Sequence, residues 1–266
     1  MMKSKHIPIS IEEFELMEHP FGWKAEYFEG KAHLTPREHL VRTQIRLAPQ
    51  KVTTAHQIVP VDPSRKERMI AAFLEAFEDS VEFCDWSSDL FHTHARKNIT
   101  NYFQGVRGKP HPVSRMVLEP NSDRIVGLAL FVENKAESFR SGLKTPETTR
   151  AEERIELDLL LVQPEYQRTG IATEMVAGAI DSLYADGVKD LRSGYHICND
   201  RSRAWHHSLG FKDVPEYFHC KLKAAWYRHE IWRREKLGKI DRLEELRIEK
   251  DRWERIGQEL EMLESL

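Results

Sequence analysis

The chain has 266 residues, 40% of them hydrophobic and 31% charged, with a formal net charge of -3. That is enough chain to bury a real core, and the composition excludes the disordered and membrane-embedded classes. The near-neutral balance gives no global reason to expect nucleic acid as a partner. Cys84, Cys198 and Cys220 are an odd set without paired spacing, so they read as reduced thiols. No apolar run of signal-peptide or bilayer length is present, and the expected compartment is the cytoplasm.

Residues 1–50 read as an N-terminal extension. Ser10 precedes Ile11-Glu12-Glu13-Phe14 with Glu13 three residues on, which predicts a capping box and a short helix ended by Pro20 and Gly22. Residues 25–28 and 31–35 flank Glu29-Gly30 and predict a small β-hairpin. This helix and acidic-Gly hairpin resemble the opening of a family of restriction-nuclease-fold proteins, but no carboxylate-lysine set of a nuclease follows.

Residues 51–220 alternate strand and helix. A strand over 56–61 leads to a helix capped by Ser64 and running to Phe77, and a second helix covers 87–103. Strands over 114–118 and 124–132 join through a Pro-Asn-Ser-Asp turn. A long polar connection from Glu133 to about Glu153 is expected to be mobile. Strand 155–162, helix 170–185, strand 190–198 and helix 201–209 follow, which predicts an α/β domain with a mixed sheet. His92 and His94 fall on different faces of their helix, and no metal site is expected. Residues 221–266 read as a charged helical tail in which Leu246, Trp253 and Leu260 recur every seven residues. The alternatives for that stripe are a tail lying on its own domain and a homodimer contact.

The most informative stretch is Val162-Gln163-Pro164-Glu165-Tyr166-Gln167-Arg168-Thr169-Gly170-Ile171-Ala172. A strand ends at a proline, a polar turn follows, and a helix starts near Gly170. That arrangement builds an anion site, because the first helical N–H groups have no partner and the helix dipole favours negative charge. Gly170 and the small Ala172 permit close approach, and Arg168 adds a charge. The Walker and dinucleotide glycine patterns are absent.

Gln167-Arg168-Thr169-Gly170-Ile171-Ala172 resembles the pyrophosphate motif of the GNAT superfamily of acyl-CoA N-acyltransferases. A second match follows: Asn199-Asp200-Arg201-Ser202 through Leu209-Gly210-Phe211 is similar to that family's next strand-to-helix unit. The resemblance covers roughly residues 54–220. It implies a mixed, mainly antiparallel sheet flanked by helices, and acetyl-CoA as co-substrate without a metal. The implied cofactor contacts are Leu160, Leu161, Val162, Gln167 to Ala172, Asn199 and Ser202. It also implies that the strand ending at Val162 splays from its neighbour, so that its amides meet the pantetheine arm and acyl oxygen. The acceptor is expected to be a small-molecule or peptide amine, with no nucleic acid or membrane involved.

Transfer to an amine needs a base and an acid. Glu156 and Asp158, two apart on one strand, share a face and are both candidate bases. Where the family often carries a tyrosine as acid, this chain has His206; Tyr195 is the rival for that role. A non-catalytic CoA-binding module with the same fold is the alternative function.

Overall fold

The computed structural model describes residues 4–50, 55–134 and 154–264. The polar connection expected between Glu133 and Glu153 lies, after its first two residues, outside them.

The first sheet is local. β1 (Lys5–Pro8), β2 (Trp23–Phe28) and β3 (Lys31–Pro36) pair antiparallel in the order β1-β3-β2. Before β2, α1 (Ile11–Leu16) starts as expected: Glu13 N–H donates to Ser10 Oγ at 3.1 Å, and Ser10 N–H to the Glu13 carboxylate at 2.9 Å. Two otherwise open backbone donors are thus satisfied. In the β2–β3 turn Glu29 and Gly30 both hold positive φ, 51° and 70°, as a two-residue hairpin turn requires.

The second sheet is built from β4 (Leu40–Arg46), β5 (Ile58–Pro60), β6 (Lys109–Pro110), β7 (Arg115–Leu118), β8 (Ile125–Asn134), β9 (Arg154–Val162), β10 (Asp190–His196) and β11 (Lys212–Asp213). Its order is β11-β4-β10-β9-β8-β7-β5, with β6 also beside β8. Among the described residues only β9 and β10 pair in parallel. The sheet is therefore mixed and mainly antiparallel. The boundary expected at residue 50 falls after a strand that belongs to this sheet, a difference from the sequence reading. β4 lies between β10 and β11, and its Val41, Thr43 and Ile45 are buried. No strand was expected there, and its partners lie far along the chain.

Helices cover both faces. α2 (Lys66–Phe77) and α3 (Ser88–Phe103) bury Phe73, Ile99 and Tyr102 against Leu128, Leu130 and Leu161. Ser87 caps α3, accepting from Leu90 N–H at 3.3 Å. The start of α2 differs from expectation: Ser64 is not its cap, Arg65 holds that position without a side-chain bond, and Asp62 caps the 3-10 turn just before it, its carboxylate accepting from Ser64 N–H at 2.9 Å. On the other face α4 (Ile171–Ala185) buries Met175, Val176 and Ile180 against Val126, Ala129 and Phe131. α5 (Asp200–Leu209) lies beside it. Gly127 makes the close approach of α4 possible, since a Cβ there would stand 2.6 Å from Ile171 Cγ2.

The tail is two helices, α6 (Tyr217–Lys236) and α7 (Leu243–Glu264), folded back on each other. Pairs Tyr217–Glu261, Arg228–Glu254 and Glu235–Arg247 fix them antiparallel. The heptad stripe is used within the chain: Trp253, with Ile256 and Leu260, packs on Cys220 and Ala224 of α6. α6 also holds the leader, with Trp226 Nε1 donating to His19 O at 2.7 Å. Among the described residues no helix is long and apolar enough to cross a membrane.

Candidate active site

β9 organises the site. It pairs with β10 only at Ile155–Leu191 and Glu156–Arg192, whereas β10 continues along β4 as far as His196. The two parallel strands therefore diverge beyond Glu156 and leave a wedge whose β9 wall runs from Leu157 to Val162. On its other edge β9 pairs with β8 as Phe131–Leu157 and Leu130–Leu159, which leaves Asp158 as an extra residue, a β-bulge. The bulge switches faces. Ile155 and Leu157 join the core under α4, but Leu159 and Leu161 join the core under α2 and α3.

Because β9 and β10 run parallel, the helices that follow them begin at the same edge of the sheet. Gly170 is the N-cap of α4 at φ 97°, and no side chain caps that helix. Arg168 also holds a left-handed φ of 67°, rare for a residue with a Cβ. Thr169 Oγ1 donates to Tyr166 O at 2.6 Å and Gln167 Nε2 to Val162 O at 3.3 Å, fixing the turn. Gln167 to Gly170 are exposed, whereas Ile171 is buried in the core and offers only its backbone. The open wedge and the uncapped helix start fit a ligand with a long amide-bearing arm and a pyrophosphate. At α5, Asn199 Oδ1 accepts from Ser202 N–H at 2.9 Å, and Asn199 Nδ2 donates to Glu82 at 2.7 Å. Both residues sit where the sequence put them, at a helix start, with the Asn199 side chain already bonded on both ends.

A model of the acetyltransferase (GNAT) family matches residues 72–211, a span that begins within α2 and contains α3, the wedge, α4 and α5. The chain belongs to the GNAT acetyltransferase family. Among solved structures it is similar to aminoglycoside acetyltransferase AAC(6')-Iy bound to a bisubstrate analogue, at 13% identity over 61% of this chain and 95% of that one, TM-score 0.41. It is also similar to aminoglycoside 6'-N-acetyltransferase AAC(6')-Ih from Acinetobacter baumannii, at 18% identity over 61% and 94%, TM-score 0.41. A GCN5-related N-acetyltransferase from Sphaerobacter thermophilus shares 16% identity over 79% of this chain and 56% of its own, TM-score 0.44. No curated protein matches the chain.

In this GNAT chain the candidate catalytic residues have unequal surroundings. Glu156 is half-buried; burial, then the neighbouring Asp158 charge, raises its carboxyl above the ordinary glutamate range. Asn134 Nδ2 donates to its Oε2 at 3.0 Å. Asp158 is engaged on both oxygens by Arg107, Nε to Oδ1 at 2.7 Å and Nη2 to Oδ2 at 2.6 Å. Both oxygens of the second candidate base are thus already engaged by a guanidinium.

His206 is enclosed as well. It is 3% exposed, its Nε2 meets Ser193 Oγ at 2.9 Å, and its Nδ1 meets Ser202 O at 2.7 Å. Burial pushes it down to about 4, so the ring is neutral near pH 7 and Nδ1, facing the Ser202 carbonyl, is already engaged. The α5 helix turns this side chain toward β10 and away from solvent, a direction no spacing rule reveals. Tyr195 is no freer: its hydroxyl donates to Asp213 at 2.9 Å, and burial raises its pKa strongly.

Sequence reasoning missed Arg107, Asn134 and Glu82. Arg107 follows α3 in a glycine-flanked turn, Gly105-Val106-Arg107-Gly108, and Gly108 holds φ 131° with Asn134 Oδ1 only 2.2 Å from where its Cβ would be. The paired glycines were the available signal.

Proposed function

We propose that the protein transfers an acetyl group from acetyl-CoA to a primary amine of a small-molecule or peptide acceptor, by direct attack while both are bound. The divergence of β9 from β10 above the uncapped start of α4 carries this reading. Acetyl-CoA would supply the activated acyl carbonyl. The backbone of Arg168 to Ala172 would hold its pyrophosphate, with Arg168 adding charge. The β9 edge from Leu160 to Val162 would orient the arm and donate to the acyl oxygen; holding reactants in this way can be worth about 7 kcal/mol or more. Asn199 and Ser202 would contact the arm from α5.

Glu156 is the base in this reading. Burial raises its pKa, which makes it a stronger base than an ordinary glutamate, and Asn134 keeps the carboxylate aimed. With His206 and Tyr195 engaged elsewhere, solvent protonates the leaving thiolate. That same engagement favours the second reading, a CoA-binding module without turnover.

Calorimetric titration with acetyl-CoA, on the natural chain and on Gly170→Glu, tests the cofactor site. Binding by the first alone supports it, and binding by neither or both rejects it. Thiol release with an amine panel then separates enzyme from binding module.

A further inference from the structure

The face of the sheet that carries Glu156 extends past the wedge onto β10 and β4, and its charges there are unlike those of a site for a plain amine. Leu191, Ser193 and Tyr195 are buried on the α4–α5 side, so alternation puts Arg192 and Gly194 on the face of Glu156. Arg192 is the register partner of Glu156 on β10 and of Gln44 on β4. Arg42 is the partner of Gly194, over which the Leu40 side chain packs. Arg42 Nε pairs with Glu216 at 3.0 Å. Asp158 is committed to Arg107, and Asp190 meets Arg46 at 3.4 Å. Arg192, Arg42 and Glu156 all belong to half-buried positions, and each guanidinium influences the Glu156 carboxyl.

Resting on the reading of Glu156 as the base, we infer that the acceptor is an amine that also carries an anionic group, a carboxylate or a phosphate, bound by Arg192 and Arg42 while its nitrogen faces Glu156. Adjacent strands are about 4.8 Å apart. That step, with long side chains on both sides, matches the few bonds that separate amine and acid in an amino acid or an aminoalkyl phosphate. Guanidinium offers five donors in a planar fork, so an arriving anion adds bidentate contacts to those the two side chains already make. A polycation meets repulsion from the same pair. The inference names Arg192 and Arg42 as specificity residues; neither touches the transferred proton.

Binding separates this inference from the choice of base. With CoA saturating the protein, so that no transfer takes place, calorimetry compares each of the amino acids with its C-terminal amide, phosphoethanolamine with ethanolamine, and spermidine as the polycation. The expected result is that at least one anionic amine binds about 30-fold or more tighter than its neutralised partner, with spermidine weaker still. Which pair shows the difference tells carboxylate from phosphate. Arg192→Gln and Arg42→Gln should each remove most of that preference and leave the affinity of the neutral partner within about threefold. Arg192→Lys should restore part of it, and near-natural melting temperatures establish that the variants are folded. Equal or tighter binding of the amides, of ethanolamine or of spermidine overturns the inference, as does no binding of any anionic amine or an equal loss for both members of a pair. Glu156→Gln should keep the anion preference; if it binds normally yet its transfer rate is also normal, the base reading fails and the anion site stands.

Discussion

Arg107 clasps Asp158 through two parallel hydrogen bonds, 2.7 Å and 2.6 Å long, and its Nη2 also donates to Asn98 Oδ1 at 3.2 Å on α3. Asp158 is the bulge residue of β9, so this one ion pair ties the strand's irregularity to the helix beside it. With the Asp158 side chain only 10% exposed, removing its partner leaves a buried charge uncompensated. Arg107→Met should lower stability by about 3 kcal/mol. Arg107→Met with Asp158→Leu should recover much of that loss, because an apolar pair needs no counter-charge. Urea unfolding of both variants is the check, and equal losses would show that the pair is not what holds the bulge.

Glu156 as base predicts a rate that climbs with pH. The carboxylate must be ionised to accept the amine's proton, and burial with the Asp158 charge raises its pKa, so the rising limb of kcat should lie above the ordinary glutamate range. Glu156→Gln should lower kcat by about 100-fold or more and remove that limb. A variant that keeps the natural pH profile would assign the base elsewhere.

His206 and His219 predict a loss of stability in acid. Burial pushes both down to about 4 in the fold, whereas the unfolded chain takes up the protons near 6.5. Stability is then full above 6.5 and falls as the pH drops toward 4, by on the order of 3 kcal/mol for each ring. His219, 1% exposed and with neither ring nitrogen hydrogen-bonded, is the simpler one to remove. In His219→Leu the difference in urea midpoint between about pH 7.5 and about pH 4.5 should shrink. An unchanged difference would place the acid sensitivity in other groups.

Gly127 acts on the cofactor site from outside it. An added methyl would press on Ile171 Cγ2, and Ile171 is the first residue of α4. Gly127→Ala should cost roughly 1–3 kcal/mol of stability through overpacking and weaken acetyl-CoA binding by shifting the helix start. Calorimetry alongside a melting curve reads both effects. Unaltered affinity in a destabilised variant would mean that α4 yields elsewhere along its length.

What the sequence determined is the part that depends on neighbours along the chain. The Ser10 box, the Glu29-Gly30 turn, the Ser87 cap and the left-handed Gly170 are choices made within four residues, and each forms as its local chemistry requires. Even α4 and α5 were legible, since an apolar stripe and a terminal glycine bound them.

Contacts between distant segments were left to the tertiary structure. In β9 the odd residues are apolar throughout, which reads as one buried face; the bulge at Asp158 sends Ile155 and Leu157 one way and Leu159 and Leu161 the other. One extra residue in a strand leaves the hydrophobic pattern untouched, because the pattern records burial and not direction. For the same reason, the sequence brought Glu156, Asp158 and His206 forward together, and only packing told them apart. Arg107 arrives from α3's turn to occupy Asp158, Ser193 and the Ser202 carbonyl occupy His206, and Glu156 meets the Asn134 amide and a burial that raises its pKa. A residue's type fixes which proton it can carry, and the groups folded against it decide whether it is free to do so.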